Sequence, residues 1–215
     1  MVLKVVVALV CAYLLGSIPT AYLVCKFRNK ADIREIGSHN MGAMNTFYQV
    51  GFGWGMLVLL TDIFKGVAAM AIAESLGLAT ATYLGVSGLF YFLAGIVAVL
   101  GHDYPVWLKF KGGKGGATAI GVLVYLMQPW SIPMYGGLFL LIFLVTRAPT
   151  ISYGAAFIGF PFLAGFVFQR NDWIVFWAIL IAIPIIKYIP RLKEMRAAAG
   201  SWSRVIKRKS VKERF

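Results

Sequence analysis

The residues best suited to chemistry lie in one polar segment, which joins two apolar stretches and contains five glycines and three lysines between Gly101 and Thr118. Glycine permits left-handed backbone and exposes consecutive N–H groups, while lysine side chains and the first turn of a following helix also attract anions. The spacing does not match the Gly-x4-Gly-Lys-Ser/Thr loop of nucleotide-binding proteins. The segment therefore predicts a phosphate site with the candidate ligands Lys109, Lys111, Gly112, Gly113, Lys114, Gly115, Gly116 and Thr118.

A second polar segment, residues 32–46, mixes small residues with hydrogen-bonding side chains. Ser38, Asn40 and Asn45 are able to donate hydrogen bonds to phosphate or hydroxyl oxygens, and Gly42 lets the backbone approach a ligand closely. The same residues also suit a capped loop, in which Ser38 or Asn40 precedes a short helix and nothing is bound. Composition leaves both interpretations open.

The two histidines of the chain, His39 and His102, lie in these two segments. Each is a candidate for a direct role in the chemistry, although His102 also suits a capping role at a helix end. Asp62 and Lys65 are three residues apart in an apolar stretch, so they lie on one side of a helix. At membrane depth such charges form a neutralising pair, or else Lys65 extends toward a polar cavity as a substrate ligand.

The composition indicates an all-α integral membrane protein. Of the 215 residues, 60% are hydrophobic and 13% are charged, whereas soluble domains have about 25% charged residues. Several apolar stretches approach the ~20 residues that span a bilayer as a helix. Pro19 is expected to kink the first span, and spans four and five are expected to be short, tilted or broken. Seven spans are predicted, over residues 2–24, 52–73, 83–101, 116–128, 132–147, 150–168 and 173–190.

The charge distribution predicts the orientation. The net charge is +13, and basic residues follow each odd-numbered span, which places the N-terminus outside and the C-terminus in the cytoplasm. The basic residues then face an anionic leaflet, and nucleic-acid binding is not expected. We divide the chain into a membrane domain, 1–190, and a basic cytoplasmic tail, 191–215. The tail is either a helix on the leaflet or a disordered segment.

Several motifs resemble those of the PlsY family, the acyl-phosphate:glycerol-3-phosphate acyltransferases of bacteria. The family's Gly-Ser-Ile-Pro segment is seen at 16–19, and its Asp-x-x-Lys-Gly at 62–66. Its Asp-Ile-Arg and Gly-Ser-Gly-Asn-x-Gly-Ala-Thr-Asn motifs correspond to 32–34 and 37–45, and 101–118 matches nearly throughout. The resemblance implies a seven-span enzyme of the bacterial inner membrane. Such an enzyme transfers a fatty acyl group from acyl phosphate to the 1-hydroxyl of glycerol 3-phosphate, giving lysophosphatidic acid and phosphate.

The resemblance also implies roles for individual residues. Ser38, Asn45, Lys114 and, as a hypothesis, His39 are the catalytic candidates. No metal or cofactor is expected, because acyl phosphate is already activated and needs mainly positioning and charge stabilisation. The expected partners are acyl phosphate, glycerol 3-phosphate, anionic lipids and the enzyme that produces acyl phosphate. The implied substrate-binding residues are Asn40, Gly42, Lys65, His102, Lys109, Lys111, Gly112, Gly113, Gly115, Gly116 and Thr118.

The chain departs from the family at several positions. His39, Met44 and Tyr48 stand where the family has glycine, threonine and arginine. A histidine and an asparagine that help to bind glycerol 3-phosphate in the family correspond to Ile185 and Tyr188 here. His39 is the candidate replacement for the missing histidine. Two alternatives therefore stay open: an acyltransferase of the same fold with a different acceptor, and a non-catalytic membrane protein that binds lipid phosphates.

Overall fold

The structure is a computed structural model that describes residues 1–127, 130–147, 149–169 and 172–202. Two short strands, β1 (Thr82–Tyr83) and β2 (Val86–Ser87), form an antiparallel hairpin, and single 3-10 turns lie at Ile33–Glu35 and Val106–Leu108. The rest of the regular structure is helical. The helices are α1 (Val2–Ser17), α2 (Thr20–Asn29), α3 (Ala43–Gln49), α4 (Phe52–Ser75), α5 (Leu89–Asp103), α6 (Gly116–Leu126), α7 (Ser131–Thr146), α8 (Pro149–Phe168) and α9 (Asp172–Ala199).

The helices confirm the all-α membrane class. In the described ranges, four segments are long and apolar enough to cross a membrane, and three shorter apolar helices accompany them. Helix α6, with 11 residues, is only about 17 Å long, against an apolar bilayer core of about 30 Å. The count of seven spans therefore stays a prediction. The four long segments are Val2–Asn29, Phe52–Ser75, Leu89–Leu108 and Val175–Ala197, and the shorter ones are Gly116–Leu126, Ile132–Thr146 and Gly154–Val167.

The third predicted span begins later than expected. Residues 82–87 form the β1–β2 hairpin, and α5 starts only at Leu89. Leu84 and Gly85 at the hairpin turn have φ values of +51° and +78°, which is the conformation that a tight two-residue hairpin turn favours. Gly88 then precedes the helix with φ of +71°. Hydropathy alone does not separate this hairpin from the helix that follows it.

The first span is broken where Pro19 predicts a kink. Helix α1 ends at Ser17 and α2 begins at Thr20, because proline has no N–H to continue the hydrogen-bond ladder. The carbonyl of Ile18 accepts hydrogen bonds from Thr20 N, at 3.0 Å, and from Lys65 Nζ, at 2.5 Å. The break thus provides an acceptor for a charged side chain of α4.

Two apolar clusters support the fold. The larger joins side chains of α1, α4, α5, α6, α8 and α9, and includes Val99, Val122 and Trp177. The smaller lies beneath the polar segments and contains Ile33, Met41 and Leu108 together with residues of α2 and α4. Because both polar segments bury side chains in the smaller cluster, they are held together at one end of the helices.

Helix α9 continues beyond the membrane-domain boundary that we predict at residue 190. Pro184 and Pro190 lie inside it, and it ends at Ala199. The first part of the basic tail, with Arg191, Lys193 and Arg196, is therefore helical. Residues 203–215 of the predicted tail lie outside the described residues.

Candidate active site

Asn45 fixes the shape of the Ser38 loop, which we define as residues 30–42. The side chain is fully buried. Its amide nitrogen donates to the carbonyls of Ile33 at 3.0 Å, Ile36 at 3.0 Å and Asn40 at 3.1 Å. Its oxygen accepts from the backbone N–H of Ser38 at 3.0 Å. The polar atoms of Asn45 are thus engaged within the protein, where they position Ser38.

Arg34 joins the Ser38 loop to the glycine loop, which we define as residues 104–115. Its guanidinium forms a two-pronged ion pair with Asp32, with Nη2 2.6 Å from Oδ2 and Nε 3.0 Å from Oδ1. Nη1 donates across to the carbonyls of Leu108 and Lys111, each at 3.3 Å. The hydrogen bond between the two side chains lowers the pKa of Asp32 and raises that of Arg34. Both groups therefore stay charged at neutral pH.

The glycine loop folds back on the end of α5. The N–H groups of Gly112 and Gly113 donate to the carbonyls of Asp103 and His102, each at 3.1 Å. A Cβ atom on Gly113 would overlap the His102 ring and lie 2.7 Å from the carbonyl oxygen of Met41. Gly113 therefore allows the glycine loop to approach both α5 and the Ser38 loop. Its amide and that of Gly112 are already used inside the protein.

The start of α6 provides further backbone donors near Lys114. Gly115 precedes the helix with φ of +68°, and a Cβ there would lie 2.9 Å from Oδ1 of Asp103. Gly116 is the first residue of α6, and Thr118, in the first turn, has a buried side chain. The first N–H groups of a helix have no carbonyl acceptor within it. The N–H groups at the start of α6, from Gly115 and Gly116 onward, are therefore candidate donors to an anion.

Lys114 lies on the glycine loop and faces α9, with Nζ 4.2 Å from the centre of the Tyr188 ring. Burial, followed by the nearby positive charge of Arg191, lowers the pKa of Lys114 to about 8. Glu194 opposes this shift, and Lys187 adds to it. Positive charge gathered around a partly buried ammonium favours a bound anion.

A buried charged cluster lies beside the glycine loop. Lys65 Nζ is 2.5 Å from Asp62 Oδ1 and 2.5 Å from the carbonyl oxygen of Ile18. His102 Nδ1 is 3.6 Å from Asp62 Oδ1, and its side chain is buried. The neutralising pair expected as one interpretation of Asp62 and Lys65 is therefore present. Contact of Lys65 or His102 with substrate stays a prediction.

Helix α9 contacts the glycine loop through Lys187. Its Nζ donates to the carbonyl of Asp103 at 3.0 Å and lies 4.1 Å from the centre of the Tyr104 ring. In the sequence, Lys187 is one of the basic residues that set the topology and Arg34 also belongs to the Asp-Ile-Arg motif, but neither contact was predicted. The two-residue spacing of Asp32 and Arg34 was an available signal for an ion pair; for Lys187 we find none in the sequence.

The other predicted site residues lie around these loops. His39 is exposed in left-handed backbone, with φ of +58°, and its Nδ1 is 3.1 Å from the carbonyl oxygen of Arg34. Lys109 and Lys111 are exposed on the glycine loop. Gly42 precedes α3, and its N–H donates to the carbonyl of Asn40 at 3.1 Å. The structure thus brings the Ser38 loop, Lys114 and the start of α6 to one end of the bundle.

Comparison with known proteins identifies the family of the chain. The sequence profile of the family described as "Glycerol-3-phosphate acyltransferase" matches residues 6–198 of the chain. The chain belongs to the glycerol-3-phosphate acyltransferase family. Among curated members, "Glycerol-3-phosphate acyltransferase 2" of Dehalococcoides mccartyi (strain CBDB1) is 48% identical over 215 residues, or 99% of this chain and 98% of that protein. The "Glycerol-3-phosphate acyltransferase" of Thermosynechococcus vestitus (strain NIES-2133 / IAM M-273 / BP-1) is 36% identical, covering 86% of this chain and 89% of that one.

Solved structures of the same family share the fold. The glycerol 3-phosphate form of PlsY (YgiH), an integral membrane glycerol 3-phosphate acyltransferase, has a TM-score of 0.76 and 30% identity to this chain. Its lysophosphatidic acid form has a TM-score of 0.72 and 29% identity. Each comparison covers 91% of this chain and 92% of that one. The resemblance to the PlsY family drawn from the motifs is thereby confirmed, and the chain is a PlsY-type acyltransferase and multi-pass membrane protein.

This acyltransferase has its own arrangement where the resemblance places the family's histidine and asparagine. Ile185 is 40% exposed on α9. Tyr188 places its ring against the Lys114 ammonium. Between them, Lys187 directs its ammonium toward the base of the glycine loop. The polar groups that α9 offers to the site are therefore lysine and tyrosine in place of histidine and asparagine.

Proposed function

We propose that this acyltransferase transfers a fatty acyl group from acyl phosphate to the 1-hydroxyl of glycerol 3-phosphate. The hydroxyl oxygen forms a bond to the acyl carbon, the bond from that carbon to the phosphate oxygen breaks, and the products are lysophosphatidic acid and phosphate. The observation that carries the proposal is the contact of the Ser38 loop with the glycine loop, through Arg34 and Gly113, just before Lys114 and the start of α6. Relatives named for glycerol 3-phosphate support this acceptor.

The two loops suit substrates that both carry phosphate. Lys114 provides a positive charge beside the first N–H groups of α6, and together these bind one phosphate. Asn45 holds the backbone of Ser38 in place. The Ser38 hydroxyl binds the second substrate or orients the attacking hydroxyl. We assign Asn45 a positioning role in the proposed reaction, because its amide already holds four backbone groups of the loop.

The reaction needs no enzyme nucleophile. Acyl phosphate is an activated anhydride, so alignment of the hydroxyl with the acyl carbon and stabilisation of charge on the departing phosphate account for catalysis. The proton of the attacking hydroxyl passes to an oxygen of the leaving phosphate. Lys109 and Lys111, exposed on the glycine loop, attract the anionic substrates to the site.

The membrane setting is part of the proposal. The acyl chain lies among the apolar helices, and the phosphate groups lie at the cytoplasmic surface of the bacterial inner membrane. The seven-span topology with an outer N-terminus places both loops on that side. The enzyme that produces acyl phosphate is the proposed supplier of the donor.

Turnover by the purified protein in liposomes tests this function. We would supply palmitoyl phosphate and glycerol 3-phosphate, and measure lysophosphatidic acid by mass spectrometry and phosphate release by colour reaction. We expect product from the wild type, its loss in Lys114→Met, and normal turnover in Lys193→Met, which removes an exposed lysine of α9. Consumption of acyl phosphate only with another acceptor would identify a different substrate. Tight binding of palmitoyl phosphate without product would indicate a non-catalytic protein.

A further inference from the structure

Lys187 contacts the start of the glycine loop, where the loop follows the end of α5. The carbonyl of Asp103 accepts both the Lys187 ammonium, at 3.0 Å, and the N–H of Gly112, at 3.1 Å. The ammonium therefore contacts the same carbonyl that anchors the loop. An ammonium has three donor hydrogens, and the bond to Asp103 uses one of them.

Lys187 is also part of a cationic cluster. The next residue, Tyr188, places its ring 4.2 Å from the Lys114 ammonium. Consecutive residues of α9 therefore contact the glycine loop at Tyr104, where it begins, and at Lys114, near its end. Lys187 and Arg191 lie near enough to Lys114 for their charges to lower its pKa. Glu194 is the acidic residue beside Arg191, with a separation of 3.0 Å, and the Asp103 carboxylate is buried beneath the loop.

Three cations held close together repel one another, and a dianion between two of them removes the repulsion. We propose that Lys187 is a second phosphate-binding residue, which together with Lys114 binds the phosphate group of a substrate. The inference rests on the proposed acyl transfer, and it assigns a specificity role to a lysine that lies between Ile185 and Tyr188, where the resemblance places a histidine and an asparagine. Lys187 thus offers a charged contact on the same turn of α9.

Steady-state kinetics of matched lysine variants tests this assignment. Lys187→Met keeps the length of the side chain and removes its charge, Lys187→Arg restores a cation, and Lys193→Met removes an exposed charge elsewhere on α9. We expect Lys187→Met to raise KM for one phosphate substrate at least tenfold, because one charge-assisted hydrogen bond corresponds to roughly ten- to hundredfold in affinity. We expect kcat to change less than about twofold if the contact is equally strong in the ground and transition states.

The substrate whose KM rises identifies the phosphate that Lys187 binds. Inorganic phosphate, the proposed product, provides a second measurement: its inhibition constant is expected to rise in Lys187→Met and to recover in Lys187→Arg. If Lys187 only supported the fold, Lys187→Met would lower Tm without a selective rise in one KM and in the inhibition constant of phosphate. Kinetics of Lys187→Met that match those of Lys193→Met, or a loss of kcat alone, would overturn the proposal.

The two proposals fail in different ways. A wild-type protein that is inactive with palmitoyl phosphate and glycerol 3-phosphate contradicts the proposed function. In that case, the rise in the Tm of the wild type on addition of inorganic phosphate still measures phosphate binding directly. Loss of that stabilisation in Lys187→Met, and its retention in Lys193→Met, supports Lys187 as a phosphate ligand; equal stabilisation of both variants contradicts it.

Discussion

The protonation of Lys114 predicts an alkaline limit to activity. The free ammonium has a pKa of about 8 because it is partly buried and lies near Arg191 and Lys187. If the charged form binds substrate phosphate, kcat/KM follows the protonated fraction of the free enzyme. Substrate phosphate has its own second ionisation near pH 6, so it contributes little to changes above pH 7.

The size of the effect follows from the same pKa. With a value of about 8, roughly nine-tenths of Lys114 is protonated at pH 7 and roughly one-tenth at pH 9. We therefore expect kcat/KM to fall about tenfold between these two values. The shift also affects folding: because the unfolded lysine titrates near 10.4, the folded state gains stability relative to the unfolded state as pH rises from about 8 to about 10.4.

The assay is initial-rate turnover in liposomes from pH 6 to pH 9.5, with the rate of acyl phosphate hydrolysis subtracted at each value. Lys114→Arg is the matched control, because arginine stays charged throughout this range. Its kcat/KM is expected to be lower at pH 7 but free of the alkaline fall. Lys187→Met is expected to move the fall to higher pH, since it removes a neighbouring positive charge. An alkaline fall that persists unchanged in Lys114→Arg would refute the assignment of this ionisation to Lys114.

Three further substitutions test the supports of the site. Arg34→Gln removes the ion pair with Asp32 and the link between the two loops, and we expect it to lower the free energy of unfolding by about 1–2 kcal/mol. Tm and kcat/KM should both fall, and wild-type values of both would show that the link is dispensable. Lys65→Met leaves Asp62 buried without its cation, which is expected to lower stability by about 3 kcal/mol or more and therefore to lower Tm in detergent. Adding Asp62→Asn should restore part of the lost Tm, and no recovery would contradict the pairing. His39→Gly relieves left-handed backbone strain and is expected to stabilise by about 1 kcal/mol; full turnover in this variant would remove the ring from the catalytic candidates.

Much of the fold follows from hydropathy and local chemistry. Apolar stretches of membrane-spanning length predict α4, and Pro19 predicts the break between α1 and α2. The hairpin at 82–87 is harder to predict, because its residues are as apolar as those of a helix end. The Asp62–Lys65 pair follows from helical spacing, but its third contact, to Ile18, depends on how two helices pack.

The composition of the site was more predictable than its internal bonding. The glycines and Lys114 indicate an anion site from sequence because their chemistry is local. The hydrogen bond from the Gly112 N–H to the Asp103 carbonyl is not predictable in this way, because it depends on how the glycine loop returns to α5. Arg34 lies in a loop and Lys187 lies near the end of the last predicted span, where the positive-inside rule already explains a basic residue. Their contacts, 74 and 84 residues away along the chain, need the tertiary structure.

The ion pair of α4 has a consequence for how the protein enters the membrane. Asp62 and Lys65 are on the same helix, three residues apart, so they are able to pair before any other helix is present. A helix that carries both charges is neutral over that turn, and it moves into the bilayer as a dipole instead of as two separate ions. Insertion of α4 therefore need not wait for a partner helix to supply the opposite charge. In the folded protein, the contact of Lys65 with Ile18 also joins α4 to the break in the first span.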